Sequence, residues 1–76
     1  RPVPQILENI LVSNQNIIES SKCKSAIKKA NYLIKNHGRL LIRKSGTEPK
    51  IRIMGESNNK ALLMRCIKII KKSILQ

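Results

Sequence analysis

Two apolar runs, Leu40-Leu41-Ile42 and Ile51-Arg52-Ile53-Met54, are separated only by the stretch from Arg43 to Lys50, which contains Ser45, Gly46 and Pro49. A connection that short between two strand-like segments leaves one topology, an antiparallel hairpin. It constrains the rest of a 76-residue chain, because a chain of this size has room for one small domain and one core. With Arg39 to Arg43 as one strand and Ile51 to Glu56 as the next, the two-residue period puts Ile51 and Ile53 on one face and Arg52 on the other.

The flanking segments supply what packs on that hairpin. Gln5 to Val12 reads as a strand with Leu7 and Leu11 on one face and Ile6, Ile10 and Val12 on the other, and apolar residues on both faces predict an interior strand, interrupted by Glu8. Cys23, Ala26, Ile27, Ala30, Leu33, Ile34 and His37 recur at helical spacing after an N-cap at Ser20 or Ser21, and Gly38 follows where a left-handed C′ glycine ends a helix. Leu63, Cys66, Ile67, Ile70 and Ile74, widened by Leu62 and Ile69, form a second stripe, capped by Ser57 or Asn58. The order is β-α-β-β-α, an α+β domain with a small, largely antiparallel sheet and two helices on one face. A right-handed crossover makes the first strand parallel to the second and the hairpin makes the third antiparallel to both; placing the third between them gives a split β-α-β sheet, but the sequence leaves the strand order open. Thirteen isoleucines, with Tyr32 as the one aromatic ring of the Phe, Tyr and Trp class, make the core aliphatic.

Residues 1 to 5, with Pro2 and Pro4, are expected to be an interdomain linker, and residues 6 to 76 the domain; the missing initiator Met fits a piece of a longer chain. Cys23 and Cys66 fall on the helical stripes, so buried reduced thiols are expected rather than a disulfide or a zinc site. The single His37 cannot build a metal site alone. No apolar run has the length of a membrane span and no signal peptide opens the chain, which predicts a cytoplasmic domain without a membrane partner.

The formal charge of +12, from 16 Lys and Arg against 4 Asp and Glu, fits a small basic nucleic-acid-binding domain. The lysines are nevertheless scattered over both helices, and aromatic stacking platforms are missing. Lys, Ile and Asn are high together, as AT-rich coding produces. A solvated basic surface with no specific nucleic acid is the preferred reading.

The hairpin tip is different. Arg43 and Arg52 approach the same end, and each guanidinium is a planar fork suited to phosphate or carboxylate. Ser45 and Thr47 add hydroxyls, and Gly46 permits a turn whose N–H groups converge on an anion as a nest. Glu48 is placed to hold an arginine or to bridge the loop, and Pro49 stiffens the exit. The loop is not a GxxxxGK[ST] phosphate loop, since no helix follows it. Ser45 as a nucleophile has no base: His37 is remote and the sequence contains no Asp.

Residues 38 to 57, GRLLIRKSGTEPKIRIMGES, closely resemble the C-terminal signature of the α-D-phosphohexomutases, in which Arg-x-Ser-Gly-Thr-Glu-Pro-x-x-Arg is the phosphate-binding loop. PQILENILV resembles the strand that opens that family's last domain. The resemblance implies that Arg43, Ser45, Gly46, Thr47 and Arg52 bind a sugar phosphate, with Lys44 contributing mainly backbone. Lys44 stands where Pro is common in the family, Lys50 where an aliphatic residue is common, and Glu8 interrupts an aliphatic strand. It further implies that the parent interconverts hexosamine 6- and 1-phosphates through a bisphosphorylated intermediate. A phosphoserine and a Mg²⁺ site would lie in upstream domains of the same chain, leaving this part with no catalytic residue and no metal, as the lid that grips the phosphate not undergoing reaction.

Overall fold

The computed structural model describes residues 3–75. β1 (Gln5–Leu11) leads through a short 3-10 helix (Gln15–Glu19) into α1 (Ser21–Ile34); β2 (Gly38–Lys44) and β3 (Lys50–Ser57) form the hairpin, and α2 (Lys60–Leu75) closes the domain. The sheet order is β1-β3-β2, and β3 runs antiparallel to both neighbours. The parallel direction of β1 and β2 agrees with the crossover argument, and the strand order, which the sequence left open, puts β3 at the centre. Of the expected linker, Arg1 and Pro2 lie outside the described residues, as does Gln76 at the other end; Gln5 is already paired with Glu56.

β3 shows why the hairpin organises the domain. Ile51, Ile53, Gly55 and Ser57 point inward and are buried, while Arg52 and Met54 alternate with them on the exposed side. Against the inner face the stripes of both helices deliver Cys23, Ala30, Ile34, Leu63, Cys66, Ile67, Ile70 and Ile74, which form one buried cluster with Ile10, Ile51 and Ile53. Both cysteines are free and buried, and burial pushes the Cys66 thiol up, opposed by the nearby charge of Arg65. Glu8, on the inner face of β1, is satisfied by an ion pair of 2.8 Å with Lys71 on α2. No described helix is long and apolar enough to cross a membrane.

Four expectations are corrected. β1 is an edge strand: its two-sided apolarity does not reflect two covered faces, since Leu7 is 58% and Leu11 75% exposed on the side without helices. His37 is off the helical stripe and exposed, because α1 stops at Ile34 and the His37 N–H closes a turn onto Ile34 O at 2.7 Å. Gly38 is not a left-handed C′ residue; it begins β2, and no described glycine has positive φ. It is needed for close approach, since a Cβ there would stand 1.9 Å from the Glu56 carbonyl oxygen. The cap of α2 is Asn59, whose Oδ1 accepts from Leu62 N at 3.1 Å, while Ser57 Oγ accepts from Asn59 N and donates to His37 O. Ser20 caps α1 as expected, accepting from Cys23 N at 3.2 Å.

Candidate anion-binding site

The helices cover only the inner face, so the outward side chains of the sheet form three cross-strand rows on an open surface. Gln5, Glu56 and Arg39 make the first, Leu7, Met54 and Leu41 the second, and Asn9, Arg52 and Arg43 the third. In the third row the two arginines face each other directly in register, with Cβ atoms about 4.5–5.5 Å apart for such a pair. Like charges in that position oppose sheet formation. Among the described residues neither has a carboxylate to offset this. All four glutamates are engaged elsewhere: Glu8 with Lys71, Glu19 with Lys44, Glu48 with Lys50 at 3.2 Å, and Glu56 with Arg39 at 2.8 Å. Glu48 therefore bridges the loop to Lys50 and holds neither arginine.

The connection beyond Arg43 is closed by Ser45 N donating to Lys50 O at 3.0 Å and Lys50 N donating to Glu48 O at 2.7 Å. Ser45 Oγ accepts a long bond from Glu48 N, 3.4 Å. Among the described residues, the Gly46 and Thr47 N–H groups and the Thr47 hydroxyl have no protein partner, and Gly46, Thr47 and both arginines are exposed. Gly46 turns without a positive φ, so convergence of the tip N–H groups would come from the turn and not from a left-handed glycine. Gly46 instead leaves space: a Cβ on it would meet nothing within 4 Å. The tip thus offers two guanidinium forks, two backbone amides and a hydroxyl to an anion.

Lys44 belongs to the site differently. The pleat turns its side chain toward the helix side, where Nζ donates to Asn16 Oδ1 at 2.7 Å and to the Glu19 carboxylate. The hydrogen bond from Lys44, and next its charge, hold the Glu19 carboxyl below the ordinary carboxylate range. On the other shoulder of the tip, Val12 N donates to Pro49 O at 2.8 Å. Sequence reasoning missed Asn9, Asn16 and Glu19. Asn9 was recoverable from the period of β1, which puts it with Leu7 and Leu11; the 3-10 helix that presents Asn16 and Glu19 has no comparable signal.

A hollow on the bare face lies beside the middle row, lined by Leu7, Leu41, Met54 and their neighbours and not by Arg43 or Arg52. The arginine row is an open surface that needs a second wall to enclose a ligand. No three His, Cys, Asp or Glu side chains cluster to hold a metal among the described residues. The donor set is cationic and neutral, which does not fit Mg²⁺.

Known proteins resemble this chain in sequence and in fold. Residues 7–73 match the model of the phosphoglucomutase/phosphomannomutase C-terminal domain. The chain is 56% identical over 71 residues to the phosphoglucosamine mutase of Pelagibacter ubique, covering 93% of this chain and 16% of that protein. The corresponding protein of Bartonella quintana is 48% identical over 62 residues, 82% of this chain and 14% of its own length. Among solved structures, Aspergillus fumigatus N-acetylphosphoglucosamine mutase in complex with GlcNAc-6P and magnesium superposes over 97% of this chain and 16% of its own, with a TM-score of 0.67 at 18% identity, a likeness of fold. By the family match over nearly its whole length and by its identity to these relatives, the chain belongs to the phosphoglucomutase/phosphomannomutase C-terminal domain family.

Proposed function

We propose that this domain grips the phosphate of a phosphorylated hexosamine, as the closing domain of a cytoplasmic phosphoglucosamine mutase that interconverts glucosamine 6-phosphate and glucosamine 1-phosphate. One observation carries the reading: Arg43 and Arg52 face each other across the hairpin without a carboxylate, on the one sheet face the helices leave bare. A fold does not keep two unneutralised guanidinium groups opposed for its own stability; a dianion between them removes the repulsion and takes a fork from each. Ser45, Gly46 and Thr47 add donors from the loop, and Lys44 supplies backbone. The segment before β1 joins the domain to upstream domains, which carry the phosphoryl-transfer chemistry and the Mg²⁺ that the residues here do not fit.

Within that division of labour the domain works by position. A grip on the phosphate that is not reacting fixes the sugar relative to the reacting centre, and its binding energy is realised on closure, when water is excluded from the guanidinium forks. The openness of the site in the single domain follows, since the other wall of the cleft belongs to other domains. Alone, the chain binds weakly, with a dissociation constant of roughly millimolar or more, and turns nothing over.

A backbone amide titration tests this. Glucosamine 6-phosphate should shift a compact set, Arg43 to Thr47 and Arg52, inorganic phosphate should move the same amides, and glucosamine should move none. Shifts spread along Lys22, Lys28, Lys35, Lys60, Lys68 and Lys72 with a silent tip would mean that diffuse charge attracts the anion, and would return the basic nucleic-acid-binding reading to first place.

A further inference from the structure

The hairpin tip has little internal bracing. Two backbone bonds, the 3.4 Å contact to Ser45 Oγ and the exposed Glu48–Lys50 ion pair are all that brace it among the described residues. Its shoulders are instead tied to the segment that follows β1. Pro49 O accepts from Val12 N on one side, and on the other Lys44 Nζ reaches Asn16 Oδ1 and the Glu19 carboxylate. The 3-10 helix is itself fixed at both ends: Asn14 Oδ1 accepts from Asn16 N at 2.9 Å, and Ser20, which caps α1, donates its N–H to Ile17 O. Arg43 and Lys44 are adjacent in β2, so the pleat sends them to opposite faces. Holding the Lys44 ammonium on the helix side therefore orients the backbone that presents Arg43 on the bare side.

We propose that Glu19 and Asn16 are positioning residues for the phosphate clamp, fixing the hairpin tip in its anion-binding geometry through Lys44 Nζ. The proposal rests on the clamp reading above and adds residues that never touch the ligand. Two consequences follow from the chemistry. Donors held in place before binding lose less conformational freedom when the anion arrives. The Lys44 charge is cancelled behind the sheet, so the field at the tip comes from Arg43 and Arg52, the groups able to read phosphate as a fork. A freed Lys44 has the opposite potential effect, since its flexible ammonium can swing round and add a third cation to the anion. The sign of the change thus separates a latch from a spare charge.

The test is an amide titration with inorganic phosphate on the wild-type chain and on Glu19→Ala, Asn16→Ala and Glu19→Asp, with thermal unfolding measured on each. Glu19→Ala should weaken phosphate about two- to fivefold, the range of an exposed ion pair, and should increase fast motion of the Ser45, Gly46 and Thr47 amides. Its unfolding midpoint should stay close to wild type. Asn16→Ala should weaken binding less, and Glu19→Asp, which keeps a carboxylate on a shorter stem, should fall between wild type and Glu19→Ala. Unchanged or tighter binding by Glu19→Ala, with wild-type tip shifts intact, overturns the latch while leaving the clamp standing. Silent tip amides in the wild-type chain overturn the clamp, and the latch with it.

Discussion

At the base of the β2–β3 hairpin Arg39 lies across from Glu56 and the two form an ion pair of 2.8 Å; at its tip Arg43 lies across from Arg52, and no carboxylate among the described residues reaches either. Both pairs sit on the same bare face, between the same strands. The glycines differ in the same sense. Gly38 at the base is jammed against the β3 backbone, whereas Gly46 at the tip borders open space. The base is finished by contacts within the chain: Ser57 is buried, donating to His37 O and accepting from Asn59 N. The tip is left with donors to spare. Arginine and glycine therefore serve folding at the base and, on the proposed function, a ligand at the tip, where no carboxylate among the described residues stands across the strand.

The largest effect that can break this comparison is steric. Gly38→Ala puts a methyl 1.9 Å from the Glu56 carbonyl oxygen and 2.8 Å from Ser57 Cβ, and a backbone carbonyl held in a strand pair cannot step aside. The loss should be about 3 kcal/mol or more, enough to unfold much of a small, marginally stable domain. Gly46→Ala should change stability by less than about 1 kcal/mol in either direction. Denaturant melts of both variants check the contrast, and equal losses would mean that the tip is as tightly built as the base.

Next come the arginines. In the longer enzyme Arg43→Ala should cut kcat/KM about ten- to a hundredfold, the value of a charge-assisted fork in a closed cleft, and Arg43→Lys should recover only part of it. Arg39→Ala should leave kcat/KM alone and cost the fold less than about 1 kcal/mol, because the Arg39 side chain is 82% exposed. Arg43→Glu sharpens the comparison most, since it makes the tip a copy of the base. It should abolish the phosphate response while raising stability by a few tenths to about 1 kcal/mol, as opposite charges replace like ones across the strands. A variant that loses both binding and stability would show that the opposed arginines are part of the scaffold.

The asymmetry was half legible in the sequence. Periodicity placed Ile51 and Ile53 inward and Arg52 outward, both helical stripes reached the core, and the short connection and crossover rule set the strand directions, while the central position of β3 came from the structure. Those signals are local, or follow from chirality. What failed depended on contacts between distant segments. Leu7 and Leu11 looked like the second buried face of an interior strand because an apolar residue carries no mark of what covers it. Gly38 after a helix has the appearance of a C′ glycine, and only the approach of Glu56 reveals its other use. The sites of Arg43 and Arg52 were readable from type and spacing, but the absence of a partner carboxylate was not: it required knowing that Glu48 turns to Lys50 and Glu19 to Lys44, the latter across 25 positions of sequence.

The smallest expected effect concerns how the tip is held, and its sign follows from Glu19. The hydrogen bond and the charge of Lys44 lower its pKa from the ordinary glutamate value of 4.5, with a further contribution from Lys24. A carboxylate depressed in the folded state contributes stability that is present above its unfolded value and is lost as pH falls through its folded one. The Lys44–Glu19 contact should therefore persist at pH 4.5 and open only below it. In an acid titration followed by amide shifts, Lys44 and Ser45 should move together with the Glu19 side chain, at a midpoint below 4.5. In Lys44→Met the Glu19 midpoint should rise toward the ordinary value, and the Lys44-linked response of the tip should vanish. A Glu19 midpoint unaffected by Lys44→Met would mean that the contact is not populated in solution, leaving Val12 and the short internal bonds to hold the tip. The clamp would then be the loosest part of its own hairpin, and the contrast between a closed base and an open tip would extend from charge to motion.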